Sequence, residues 1–194
     1  MVARGRLFIL CALPAIAVFL QGCVAVAAGG AAAGAATAVD RRTAGTMLED
    51  ETIELKTRKA IVGDKELDEK SHLNVTSYNT HLLLTGETPT EELRARAEQL
   101  ASQVPKVTRV YNEIAVGPPT SVATRSSDTL ITSKVKTRLV ADEHIDGVAV
   151  KVVTENGVVY LMGLLSHAEA DRATEVARTT GGVQKVVKLI QYTD

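Results

Sequence analysis

The stretch TENGVVYLMG, residues 154–163, has the pattern of a β-hairpin whose second strand ends at a glycine. Asn156 and Gly157 are the residue pair that a type I′ turn favours, because both central positions of that turn need positive φ. A related stretch, SYNTHLLLTG, occupies residues 77–86. Asn79 precedes Asn156, and Gly86 precedes Gly163, by the same 77 positions. The sequence therefore contains an internal repeat of one small domain. Because each copy is barely long enough to form its own hydrophobic core, we expect the two copies to support each other.

The N-terminus has the pattern of a targeting signal. Arg4 and Arg6 precede an apolar run, residues 7–20, that is short for a membrane span. The sequence Leu-Gln-Gly-Cys follows at residues 20–23 and resembles a bacterial lipobox. The resemblance implies that residues 1–22 are a lipoprotein signal peptide and that Cys23 is the site of lipid attachment. The alternative is an uncleaved membrane anchor over residues 7–39.

The residue after Cys23 bears on localisation. In Gram-negative lipoprotein sorting, Asp at that position favours the inner membrane, and this chain has Val24. We therefore expect a protein that is lipid-anchored in the outer membrane and faces the periplasm. Residues 23–45 are rich in Ala and Gly and are expected to form a tether.

The first copy, residues 46–116, has the order helix, strand, strand, helix, strand. Asp50 is expected to cap a helix that begins near Glu51. Strands are expected over residues 73–78, 82–85 and 107–116, with a second helix after Thr88 or Thr90. Residues 117–127, which include Gly-Pro-Pro, are expected to be a linker.

The second copy, residues 128–194, repeats that order, with Asp128 in the place of Asp50. Ile131, Val135 and Leu139 are expected to form the core face of its first helix. Ser166 and Glu169 have the spacing of a capping box for its second helix. A final strand is expected over residues 183–192.

This order, with a strand-ending glycine and a closing Val-x-x-Val strand in each copy, resembles the BON domain. Residues 110–114, 154–157 and 161–164 carry much of the resemblance, and with the lipobox the chain looks like a dual BON-domain outer-membrane lipoprotein. The resemblance implies an α+β fold of two tandem BON domains, each a small mixed sheet packed on helices. It also implies binding of phospholipid, often anionic, and a role in envelope integrity.

The first helix of the second copy is the candidate binding surface. Its outward face is expected to present Leu130, Lys134 and Thr137, with Arg138 at one margin, and it has no acidic residue between Thr129 and Ala141. An outward Leu can enter the acyl boundary while the cations meet phosphate. The competing hypothesis is that Leu130 packs on the other domain or on the linker and that the cations are only solvated.

Other function classes find less support. Net charge is −1, without a strongly basic domain, so nucleic acid is not an expected partner. The four histidines lack metal-ligand spacing, and we expect no catalytic residues, no metal and no cofactor. The alternative function is a non-enzymatic adaptor that binds an envelope protein, such as a peptidoglycan-remodelling or assembly factor. Gly86 and Gly163 are expected to be structural, because a side chain there would meet the following helix or need a forbidden backbone angle.

Overall fold

The computed structural model describes residues 40–194. The predicted signal peptide, Cys23 and residues 23–39 of the predicted tether lie outside the described residues. All described residues belong to one compact unit, Ala38–Asp194.

The first domain contains three helices and a mixed sheet. In the sheet, β2 (His81–Thr88) lies between an antiparallel partner, β1 (His72–Tyr78), and two short parallel partners, β3 (Arg109–Asn112) and β4 (Ala115–Val116). The expected last strand of this domain is thus split in two, with a buried Ile114 between its halves. The elements are α1 (Ala44–Gly63), α2 (Lys65–Lys70), β1 (His72–Tyr78), β2 (His81–Thr88), α3 (Glu91–Ser102), β3 (Arg109–Asn112) and β4 (Ala115–Val116).

The second domain has the same plan without the short extra helix and with a continuous last strand. Its sheet contains β5 (Val150–Glu155), β6 (Val158–Leu165) and β7 (Lys185–Tyr192) in that order. In this sheet β5 and β6 are antiparallel, and β6 and β7 are parallel. The predicted α+β fold and element order are confirmed. The elements are α4 (Val122–Val140), a 3₁₀ turn (Gly147–Ala149), β5 (Val150–Glu155), β6 (Val158–Leu165), α5 (His167–Arg178) and β7 (Lys185–Tyr192).

Both first helices begin earlier than predicted. Thr43 caps α1 and Ser121 caps α4, so α1 includes the last residues assigned to the tether, and α4 includes most of the predicted linker. Asp50 and Asp128 are therefore not N-caps, and that prediction is wrong. Both are buried inside their helices, because their carboxylates bind the hairpin turns of the same domains.

The turns themselves are as predicted. Asn156 and Gly157 have φ values of 49° and 74°, and Asn79 and Thr80 have 48° and 65°. These left-handed values at both central positions match a type I′ turn. Thr80 shows that the first copy keeps this geometry without a glycine.

Each domain buries the inner face of its helices against one face of its sheet. The predicted core face of α4 is confirmed, because Ile131, Val135 and Leu139 are buried. In α1 the equivalent face buries Ile53, Thr57 and Ile61. In β2, Leu82 and Leu84 point to the helices, as do Val159 and Leu161 in β6.

The opposite faces of the two sheets pack against each other. Alternate residues of the same strands form this interface, whose buried apolar members are Tyr78, Leu83, Tyr160, Met162 and Leu189. Both central strands are thus covered on both faces, which explains their continuous apolar runs. The expectation that the copies support each other is confirmed.

The prediction that Gly86 and Gly163 end their strands is wrong, because β2 continues to Thr88 and β6 to Leu165. The two glycines differ in geometry. Gly86 has a φ of +110°, and a Cβ there would lie 1.9 Å from the carbonyl oxygen of His72. A Cβ on Gly163 would lie 2.9 Å from the carbonyl oxygen of Ala149 and 3.1 Å from Leu165 Cγ. In both copies the close neighbour is the strand-start region of the hairpin rather than the following helix.

Candidate functional site

The candidate surface is the outward face of α4. Its N-terminus is fixed by the Ser121 hydroxyl, which accepts a hydrogen bond from the backbone N–H of Thr124 at 3.1 Å. Four residues spaced along the helix are buried, so the opposite face lies in solvent. Leu130 is on that outer face with 61% of its surface exposed. It does not pack on the other domain, contrary to the competing hypothesis.

Lys134 follows Leu130 by one turn and is also exposed. Within residues 40–194 it forms no ion pair. Over its whole length α4 has four cationic residues and one acid, a net charge of +3, whereas α1 has three cationic and four acidic residues, a net charge of −1. Of the two first helices, the one with a positive net charge is therefore α4, in the second domain.

Thr137 completes the predicted patch. It is exposed, and its hydroxyl donates a hydrogen bond to the carbonyl oxygen of Ser133 at 2.9 Å. The hydroxyl proton is thus used within the helix, which leaves the oxygen and the methyl group towards solvent.

Arg138 lies in a different environment from the one expected. Its guanidinium donates to the carbonyl oxygen of Val176 at 3.1 Å and to the hydroxyls of Thr180, at 2.7 Å, and Thr179, at 3.0 Å. These acceptors belong to the C-terminal end of α5, where a cation is favoured by the unpaired carbonyls and the helix dipole. We therefore assign Arg138 to the packing of α4 on α5 and leave it out of the lipid-binding proposal.

Two cations of α4 were missed in the sequence. Arg125 and Lys136 line a groove between this helix and β1, together with Asn74. Arg125 fell within the predicted linker because α4 was expected to begin only at Asp128. The N-cap signal of Ser121 followed by a helical run could have placed it correctly.

A second exposed feature lies on α1. Leu48, Leu55 and Val62 are spaced by seven residues and are 65%, 67% and 60% exposed. Seven residues are nearly two helical turns, so the three side chains form one outward stripe. This apolar stripe was not predicted from the sequence.

The structure also brings together residues that have no motif spacing. His72 in β1 and Glu87 in β2 are direct neighbours across the ladder, and Glu155 of the second domain reaches the same place. Burial raises the pKa of Glu155, and the nearby Glu87 carboxylate acts in the same direction. The Asn74 amide partly offsets this by donating to Glu155 Oε2 at 2.9 Å.

Two further histidines, His81 and His167, have structural surroundings. His81 contacts Tyr111, and burial lowers the pKa of His81. His167 lies 2.7 Å from the Asp194 carboxylate and stacks on Tyr192. In the described part of the chain, no helix combines the length and the apolar character that a membrane span requires.

Comparison with known proteins adds one family match and three relatives. The family model described as "BON domain" matches residues 49–118 and 127–194. The chain is 40% identical over 177 residues to the outer membrane lipoprotein DolP of Haemophilus influenzae, covering 91% of this chain and 92% of that one. It is 43% identical to the 21 kDa hemolysin of Actinobacillus pleuropneumoniae, covering 79% of each chain. It is also 31% identical to the osmotically-inducible protein Y of Escherichia coli, covering 73% of this chain and 72% of the relative.

Proposed function

Because this chain belongs to the BON-domain family, we propose that it is an outer-membrane lipoprotein that binds anionic phospholipid through the outward face of α4 and supports envelope integrity. Lipid attachment at Cys23 would hold it at the outer membrane, facing the periplasm. The Haemophilus influenzae relative is named an outer membrane lipoprotein, which supports this location. The proposed role needs no catalytic step.

The observation that carries the proposal is the pairing of Leu130 with Lys134. A leucine with 61% of its surface exposed lies one turn from a lysine that is without an ion-pair partner in residues 40–194. Inserting the leucine into the acyl boundary removes apolar surface from water, and the lysine then lies at the depth of the phosphates. A cation near an anionic surface contributes about 1 kcal/mol.

Binding through so small a patch is weak by itself. The lipid anchor compensates, because tethering raises the local concentration of a membrane partner to about millimolar. We therefore expect the anchored protein to sample lipid reversibly, with the acyl chains supplying attachment and α4 supplying head-group discrimination.

The test is co-flotation of a soluble fragment, residues 40–194, with anionic or neutral vesicles. The fragment keeps Arg41 and Arg42, which contact the folded domains. The test variant is Leu130→Glu/Lys134→Glu. The matched control is Leu55→Glu/Lys59→Glu, which makes the same changes at the same spacing on α1.

We expect binding to anionic vesicles only, weakened by salt, because screening acts on exposed charges. The α4 variant should lose at least about tenfold in affinity, from one lost cation, its reversal and the lost apolar contact. The α1 control should bind as the unchanged fragment does. Loss in the α1 control alone would move the lipid surface to the first domain.

The exposed stripe on α1 supports a second candidate, the protein-binding adaptor. Leu48, Leu55 and Val62 present an apolar line on a helix of net negative charge, which suits a protein partner better than an anionic membrane. Photo-crosslinking in cells from position 55 and from position 130 separates the two. An adaptor would crosslink to protein from 55, whereas a lipid binder would crosslink to phospholipid from 130.

A further inference from the structure

Three side chains with metal-binding atoms converge where the two domains meet. His72 begins β1, Glu87 faces it across the ladder in β2, and Glu155 ends β5 of the other domain. One nitrogen or oxygen atom from each lies within 4.8 Å of the atoms from the other two. The cluster therefore forms only when both domains are folded and packed together.

The atoms of the cluster are short of partners. Glu87 is only 4% exposed, and its Oε2 atom is buried with no hydrogen-bond partner in the described part of the chain. His72 Nδ1 is likewise buried without a hydrogen-bond partner among the described residues. The 3.8 Å between these two atoms is too long for a hydrogen bond. Buried polar atoms are nearly always satisfied, so an unpaired pair that faces a third ligand points to a missing group.

The internal repeat supplies a comparison. The residues 77 positions after His72 and Glu87 are Ala149 and Leu164, and the residue 77 positions before Glu155 is Tyr78. At that equivalent contact the Tyr78 hydroxyl donates to the carbonyl oxygen of Ala149 at 3.1 Å. One of the two reciprocal contacts is thus closed by a phenol and a backbone group, while the other brings together an imidazole and two carboxylates.

We propose that His72, Glu87 and Glu155 form a site for a divalent transition-metal ion of the Zn²⁺ class that joins the two BON domains. An imidazole nitrogen with two carboxylate oxygens is a donor set that Zn²⁺ and Co²⁺ accept, with water in the remaining position. Mg²⁺ and Ca²⁺ favour six or more oxygen ligands and suit the cluster less well. The ion would satisfy Glu87 Oε2 and His72 Nδ1 and would neutralise two buried carboxylates.

The charges around the cluster are compatible with this assignment. Arg125 and Lys136 line the adjoining groove beside His72 and Glu155. In residues 40–194 neither cation donates a hydrogen bond to either carboxylate of the cluster, so neither replaces a metal ion there. The competing explanation is a proton shared by the two carboxylates. The proposal is independent of lipid binding.

The experiment uses the full-length protein in detergent micelles, stripped with EDTA and then titrated with Zn²⁺ alone, with Mg²⁺ in a parallel titration. Calorimetry gives the stoichiometry, and thermal unfolding gives the stabilisation. Co²⁺ is added as a spectroscopic probe, because its visible absorption reports coordination geometry. Residues 1–39 are the same in every variant, so any metal binding by their side chains cancels in the comparison.

We expect one Zn²⁺ per chain and a rise in Tm of about 5–10 °C at 100 times the Kd, with little effect of Mg²⁺. Glu87→Gln and Glu155→Gln should each abolish this response and the Co²⁺ spectrum. His72→Gln, at the half-buried edge of the cluster, provides a further test if a buried variant does not fold. The matched control is His167→Gln, which removes an exposed histidine beside a carboxylate and should leave Zn²⁺ binding unchanged.

Two results would overturn the proposal. If Zn²⁺ fails to bind and Glu87→Gln stabilises the protein by itself, the carboxylates share a proton. If Zn²⁺ binding survives in the cluster variants or disappears in His167→Gln, the ion occupies a surface site instead.

Discussion

The carboxylate of Asp128 accepts hydrogen bonds from the backbone N–H groups of Gly157 at 2.8 Å and Asn156 at 2.9 Å, and so fastens α4 to the hairpin turn. Asp50 binds the N–H groups of Asn79 and Thr80 at 2.7 and 2.8 Å in the first domain. Each aspartate is buried, and the repeat therefore preserves a helix-to-turn connection as well as a pattern of apolar residues.

Replacement of Asp128 should destabilise the second domain. Asp128→Ala leaves two turn N–H groups without an acceptor, and we expect a loss of about 2–4 kcal/mol in the free energy of unfolding. Asp128→Asn retains one acceptor oxygen, so its free energy of unfolding should lie between those of Asp128→Ala and the unchanged protein. Urea denaturation measures the difference. Equal stability of Asp128→Ala and the unchanged protein would show that the turn does not depend on this carboxylate.

Acid should release the N-terminal segment from the second domain. Arg41 Nη1 donates to Glu169 Oε2 at 2.9 Å, and this pairing lowers the pKa of Glu169 from 4.5 to about 2. Since the folded-state pKa is below the unfolded one, the stabilisation is complete above pH 4.5 and disappears as the pH falls towards 2. The pair is partly exposed, so we expect it to contribute only about 1 kcal/mol.

Chemical denaturation at pH 7 and pH 3 checks this. Glu169→Gln and Arg41→Gln should each be less stable than the unchanged protein at pH 7, and the gap should narrow at pH 3. A gap in Glu169→Gln without one in Arg41→Gln would assign the effect to the capping box, in which Glu169 Oε2 also accepts from the backbone N–H of Ser166 at 2.9 Å and the bond lowers the same pKa.

Gly86 and Gly163 should tolerate alanine differently. Gly86→Ala combines a left-handed φ with a Cβ contact at 1.9 Å to a backbone oxygen, so we expect the first domain to unfold or to lose more than about 3 kcal/mol. Gly163→Ala meets a backbone oxygen at 2.9 Å without positive φ, and about 1–3 kcal/mol is expected. Thermal unfolding of both variants tests the order, and a Gly86→Ala protein as stable as Gly163→Ala would contradict it.

Arg138 and Lys134 should separate stability from lipid binding. Arg138→Gln removes charged hydrogen bonds to the end of α5, so the free energy of unfolding should fall by about 1–2 kcal/mol while anionic vesicle affinity changes little. Lys134→Gln should do the reverse, with unchanged stability and affinity reduced about fivefold. Vesicle flotation and urea denaturation of the same two samples provide the comparison. Lost vesicle affinity in Arg138→Gln, with the protein folded, would return that residue to the lipid surface.

The features that could be predicted from the sequence are local. The turn at Asn156 and Gly157, the capping box of Ser166 with Glu169, and the inward face of α4 all follow from backbone preferences or helical spacing between residues a few positions apart. Such signals are complete within one short segment, which is why they were predicted correctly. The acceptor role of Asp128, in contrast, was not predicted, because it involves a turn 28 residues away.

The tertiary structure decided the rest. Arg138 bonds to residues about 40 positions later, Glu155 meets Asn74 81 positions earlier, and Arg41 reaches Glu169 across 128 positions. No periodicity links such residues, because their distance is set by sheet-to-sheet and helix-to-helix packing. The sequence by itself therefore determined the repeated domain, its turns and the exposed pair Leu130 and Lys134. Only packing decided which cations remain free and that a histidine from one domain lies beside a carboxylate from the other.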